Sequence, residues 1–148
     1  MTDTPPRVPY WHLWTDPAGV SHQSRCALSR FVLAPMGAGA APQWQGDKLH
    51  DGMTVLLTVQ PVGWIGEWHE NPRPQWIIPL SGRWFVESMD GTRVEMGPGE
   101  ISLGEDQNTR PTDGRTGHRS GTIGAAPAVL MVVQFDAPPT MDRPCRFA

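Results

Sequence analysis

A turn signal interrupts the chain every few residues between Thr54 and Phe135: Pro61, Asn71-Pro72-Arg73-Pro74, Gly82, Asp90-Gly91 and Gly97-Pro98-Gly99. The segments between them, Thr54 to Gln60, Gly63 to His69, Gln75 to Leu80, Arg83 to Met89, Thr92 to Met96 and Glu100 to Gly104, have strand length and strand composition. Asp90-Gly91 is a strong signal for a two-residue hairpin. No stretch carries apolar helical periodicity over three turns, and 16 glycines and 16 prolines in 148 residues supply the turns that short strands need. The pattern predicts an all-β sandwich or barrel. Ala128 to Phe135, the most continuously apolar segment, is its expected central strand.

The length suits one domain with one sizeable core. Residues 1–53 read as an N-terminal arm, hairpin and loop, 54–135 as the barrel, and 136–148 as an irregular tail. In the hairpin, Tyr10 to Trp14 is strand-like, Asp16 to Gly19 turns, and Val20 to Arg25 returns, carrying His12 and His22 as surface or packing histidines. Cys26 to Leu33 reads as a further strand. The small-residue stretch from Ala34 to Pro42 opens a surface loop running to about Gly52 that is placed to fold over a pocket mouth, with Trp44 covering a hydrophobic seam and His50 within ligand reach. Residues 105–117 form a polar loop, after which His118 begins another strand.

Twelve Lys and Arg against 15 Asp and Glu leave a net charge of -3, which gives no electrostatic reason to expect nucleic acid or an anionic membrane as partner. The basic set is all arginine except Lys48, which favours fixed bidentate contacts over a diffuse basic surface. The first ten residues lack the basic and apolar regions of a secretory signal, and no apolar run is long enough to span a bilayer. Cys26 and Cys145 stand in no metal-type spacing and read as free thiols of a cytoplasmic protein, with a disulfide between them as the alternative.

The spacing of the central stretch resembles the first motif of the cupin superfamily, small β-barrels of jelly-roll type. Gly63, five residues, His69, one residue, Asn71, three residues, Gln75, six residues and Gly82 keep that motif's spacing, with Asn71 in place of its second histidine and Gln75 in place of its glutamate. Gly99-Glu100-Ile101-Ser102-Leu103 and Gly117-His118-Arg119 are similar to the opening and close of the second motif, around a longer loop. The resemblance covers roughly residues 54–135. It implies a cupin-type jelly-roll barrel with an N-terminal hairpin extension, a homodimer, and a divalent metal (manganese, iron or zinc) at His69, Gln75, His118 and Asn71. Two amides in place of an imidazole and a carboxylate leave such an ion without an anionic protein ligand.

The residues themselves support a second use of the same pocket. His69 and His118 titrate near neutral pH, and strand alternation puts Glu67 on the face of His69 and Ile65, opposite Trp64 and Trp68. Two imidazoles and a carboxylate are an acid–base set, one group removing a proton while another protonates a leaving oxygen. Arg73 at the turn and Arg119 after His118 are expected to bind an anionic substrate, with Asn71 and Trp76 beside it. Glu105 and Asp106 are within reach of the rim. The leading expectation is a cupin enzyme acting on a small polar, anionic molecule by lyase, dehydratase or isomerase chemistry, with His69, His118 and Glu67 catalytic. The alternatives are an iron-dependent dioxygenase and a non-catalytic small-molecule-binding cupin.

Overall fold

The computed structural model describes residues 4–15, 21–47 and 52–139. Among them there are eleven strands and no helix, and hence no helix long and apolar enough to cross a membrane. β1 (Val8–Thr15) and β2 (Ser21–Leu28) form the antiparallel N-terminal hairpin, with Val8 opposite Leu28 and Thr15 opposite Ser21. The expectations for the turn at Asp16 to Gly19, for Lys48, His50 and Cys145, and for the side chains of His12, His22 and Cys26 lie outside the described residues.

A six-stranded sheet follows the order β3-β4-β5-β11-β6-β9, built from β3 (Phe31–Pro35), β4 (Pro42–Gly46), β5 (Thr54–Gln60), β11 (Ala128–Gln134), β6 (Gln75–Ser81) and β9 (Ser102–Gly104). A three-stranded sheet, β10-β7-β8, faces it with β7 (Arg83–Ser88), β8 (Arg93–Met96) and β10 (His118–Ile123). This is an all-β jelly-roll architecture, and the most apolar segment is indeed central, with β11 paired to β5 on one side and β6 on the other.

Alternation along the strands divides the core in two. Leu56, Ile77, Leu130 and Val132 of the large sheet meet Trp84 and Met96 of the small one between the sheets. On the other face of the large sheet, Leu57 and Val59 pack with Phe31 and Trp44, and Val8 of the hairpin lies against them. Each fully buried large side chain contributes about 1.5–3 kcal/mol relative to exposure. The inward row does not stay apolar: Thr58 and Gln60 on β5, Gln75 on β6 and Gln134 on β11 are buried in it.

Three expectations are corrected. Cys26 to Leu33 is not one strand, since β2 runs to Leu28 and β3 begins at Phe31. The stretch from Ala34 to Gly52 is not all loop, because Gln43, Trp44 and Gln45 form β4 between β3 and β5. The small residues before it make only a tight turn, closed by the Ala40 N–H donating to the Gly37 carbonyl at 3.1 Å. Gly63 to His69 is not a regular strand. It runs along β10 through two isolated bridges, Ile65 with Gly121 and His69 with His118, so that four residue steps on one side match three on the other. One extra residue is a bulge, and it exchanges the faces of everything on one side of it. Ile65 is therefore 59% exposed while His69 is buried.

Candidate active site

His69 and His118 exchange both backbone hydrogen bonds, each at 2.9 Å. Directly opposed residues of an antiparallel pair project to the same face, and the two imidazoles accordingly lie with ring centroids 4.6 Å apart, tilted by 50°. Both point into a cavity of about 30 Å³ between the sheets. His69 and Asn71 also border a basin of about 490 Å³ bounded by Gly37, Ala38, Pro72, Gln107 and Asn108. The turn after β3 thus does border the pocket mouth.

Each ring is held at Nδ1. His69 Nδ1 lies 2.8 Å from the Glu67 carbonyl oxygen, which accepts its proton, and His118 Nδ1 lies 2.6 Å from Asp106 Oδ2. Both Nε2 atoms are left to face the cavity, the orientation that a carbonyl or carboxylate behind a histidine imposes. Burial lowers the His69 pKa; the Glu67 carbonyl opposes that shift, and the nearby His118 charge adds to it. For Asp106, burial pushes the carboxyl up, but the hydrogen bonds from His118 and Asn71, together with the His118 charge, outweigh it and the net shift is downward. The result is a neutral His69 beside a His118 that is backed by an anion.

Asp106 is fixed from the other side by Asn71. The Asn71 side-chain Nδ2 donates to Asp106 Oδ1 at 2.6 Å and its backbone N–H donates to the same oxygen at 3.0 Å. Gln75 Nε2 donates to Asn71 Oδ1 at 2.6 Å, and Gln134 Nε2 donates to Gln75 Oε1 at 2.9 Å. A continuous chain therefore runs Gln134, Gln75, Asn71, Asp106, His118. The loop carrying Asp106 is tied down by Gln107 Nε2 donating to the Asn71 carbonyl at 3.0 Å, and by Thr109 donating to Glu70 through both its backbone N–H and its hydroxyl at 2.7 Å.

This donor set does not make up a divalent site as it stands. It offers two bare imidazole nitrogens, but both amide oxygens at the other two positions already accept hydrogen bonds, and the nearby carboxylate stands behind His118 rather than beside its Nε2. Among the described residues no three His, Cys, Asp or Glu side chains gather as a metal site.

His69, His118, Asn71 and Gln75 are brought together, and four other expected site residues are not. The Glu67 side chain is exposed, because the bulge exchanges its face, and only its carbonyl serves the site. Arg73 is exposed and paired with Asp136 at 3.1 Å. Arg119 alternates to the outer face of β10, where it pairs with its cross-strand neighbour Glu87 at 2.7 Å and lies over Trp68. Trp76 is half-buried on the outer face of β6, opposite Gln75 and Ile77. No arginine borders the cavity or its basin, so the expected anionic-substrate clamp is absent from the described walls. Asp106 reaches past the rim to His118. Gln43 and Gln60 line the cavity although the sequence does not single them out, and Trp84, expected as a core or contact aromatic on a strand beside the pocket, lines it too; for Gln60 the signal was its parity with Leu56 and Thr58 on one strand.

No protein-family model and no curated protein matches the chain. Solved structures do. A cupin-like protein from Thermotoga maritima matches over 74% of this chain and 80% of its own, at 14% identity and a TM-score of 0.54. A putative ethanolamine utilization protein Q from Salmonella typhimurium matches over 89% of this chain and 98% of its own, at 14% identity and a TM-score of 0.51. At these identities the likeness concerns the fold.

Proposed function

Proceeding from a cupin-type jelly roll, we propose that the protein is a proton-transfer enzyme of the lyase or dehydratase type, acting on a small polar molecule without a metal. The observation that carries this reading is the histidine pair: two rings 4.6 Å apart, both held at Nδ1, only one of them backed by a carboxylate. Two rings this close do not both take a positive charge readily, burial disfavours charge on His69, and only His118 has a carboxylate at its Nδ1. His69 is then the base and His118 the acid.

In an elimination, His69 Nε2 removes a proton from the carbon next to a carbonyl. The electron pair becomes a carbon–carbon double bond as the bond to the leaving oxygen breaks, and the Nε2 proton of His118 goes to that oxygen. The proton gained by His69 passes to His118, directly or by way of solvent, and restores the pair. General acid–base groups contribute about 10²–10⁴-fold each to such steps.

Solvent deuterium exchange at the carbon next to the carbonyl, followed by NMR over a panel of small uncharged β-hydroxy carbonyl compounds, tests the reading without a known substrate. His69→Gln should lower exchange, and both His69→Gln and His118→Gln should lower formation of the unsaturated product in the same spectra, by about 10²-fold or more with the fold retained. Unchanged exchange in His69→Gln, or unchanged elimination in either variant, refutes it. Elemental analysis of tag-free protein before and after chelation decides the metal's part: activity that survives chelation agrees with the proposal, whereas stoichiometric metal whose removal abolishes exchange overturns it.

A further inference from the structure

We propose that the end of the cavity formed by Gln43, Gln60 and Trp84 is a specificity subsite for an uncharged head group carrying O–H or N–H donors, a hydroxyl or a primary carboxamide. The inference deepens the reading above, since it concerns the same cavity, and it rests on a separate set of atoms.

The polar residues of this interior fall into two groups. Asn71, Gln75, Gln134 and Asp106 bond to one another and hold the catalytic geometry. Gln43 on β4, Gln60 on β5 and Trp84 on β7 are 7%, 3% and 2% exposed and line the same cavity. Yet among the described residues Gln43 Oε1, Gln60 Oε1 and Trp84 Nε1 have no hydrogen-bond partner. A buried polar atom without a partner costs about 1–3 kcal/mol, and three lining one cavity, two from the large sheet and one from the small sheet facing it, call for a reason. A bound head group supplies one.

Two acceptors and one donor are the complement of a primary carboxamide, whose two N–H groups meet the glutamine carbonyls while its oxygen accepts from the indole. A pair of neighbouring hydroxyls satisfies the same atoms. A carboxylate would bring only acceptors to two carbonyl oxygens, and no arginine or lysine among the described residues lines the cavity to offset its charge. The volume of about 30 Å³ accommodates a head of a few heavy atoms, on the order of two waters. The rest of the ligand lies past the imidazoles in the basin, which places the bond that reacts beside His69 and His118.

The test titrates ¹⁵N-labelled protein with propionamide, 1,2-propanediol and propionate, reading the Trp84 indole N–H resonance assigned through Trp84→Phe. Propionamide and the diol should move it saturably, with propionate at least tenfold weaker. Gln43→Leu and Gln60→Leu should weaken that binding at least tenfold while leaving the unliganded protein as stable as the parent or more so. His69→Gln and His118→Gln should keep it; binding retained while activity is unchanged would overturn the acid–base reading alone, and no binding while activity is lost would overturn the subsite alone. No saturable shift with any probe, equal binding of propionate, or leucine variants that bind as the parent or melt well below it would each overturn the proposal.

Discussion

Gly117→Ala is expected to lower stability by about 4 kcal/mol or more, a size reserved for a few defined defects. Gly117 precedes His118 and has φ of +58°, and a Cβ there would fall on the backbone carbonyl of His69 and the Cα of Glu70. Those are main-chain atoms and cannot swing aside. Left-handed backbone geometry adds about 1–2 kcal/mol for alanine, and relieving the overlap breaks the two hydrogen bonds that join His69 to His118, each worth about 1 kcal/mol. Gly114 is the internal control, lying in the same loop with φ of +74° but with nothing within 4 Å of an added Cβ. Gly114→Ala should therefore show only the backbone penalty. In thermal unfolding followed by tryptophan fluorescence, Gly117→Ala should melt about 10 °C or more below the parent and Gly114→Ala only a few degrees below it. Equal shifts in the two variants would show that the close approach at His69 does not hold the site.

The same bridge explains what the sequence made legible and what it hid. Strands β5, β7 and β8 stand where turn residues and alternation put them, because Pro61, Gly82 and Asp90-Gly91 fix their ends locally. The spacing of His69, Asn71 and Gln75 before His118 likewise located the pocket, since each lies on or beside a strand whose parity is preserved. Parity failed at Glu67, where one extra residue in the pairing with β10 moves the carboxylate outward. A bulge is a property of two strands together, so one strand's alternation does not reveal it. Asp106 lies on an irregular loop with no periodicity at all, and its position depends on long-range bonds to Asn71 and His118. β4 was concealed by the small residues before it, and with it Gln43. Arg119 was misplaced for a simpler reason: on β10, the residue after an inward histidine must face outward.

Asp106→Asn should be the most damaging conservative change at the site. All three contacts to this carboxylate come from donors, Asn71 N–H and Nδ2 on one oxygen and His118 Nδ1 on the other. An amide of the same shape turns its own NH₂ group toward one of them, at a cost of about 2–3 kcal/mol. If it turns toward His118, that ring answers by moving its proton to Nε2, which removes the anion-backed acid. Exchange activity should then fall by a factor on the order of 10³–10⁴, the scale seen when an aspartate that orients a catalytic histidine is neutralised. The pH profile of stability carries an independent signature. His69 takes a proton less readily in the folded state than at its usual value of about 6.5, so its contribution is complete above that pH and is lost as pH falls toward the folded-state value. Asp106 holds its charge below the usual carboxylate range, so its contribution is complete above about pH 4 and disappears in stronger acid. Parent protein should lose stability in two acid steps. Asp106→Asn should retain the step below 6.5 and shrink the lower one, leaving what belongs to other acids such as Glu70, whose carboxyl the Thr109 hydroxyl holds low. His69→Gln should do the reverse. Denaturant titrations from pH 8 to pH 3 resolve the two steps, and an unchanged lower step in Asp106→Asn would show that the carboxylate is not the anion behind His118.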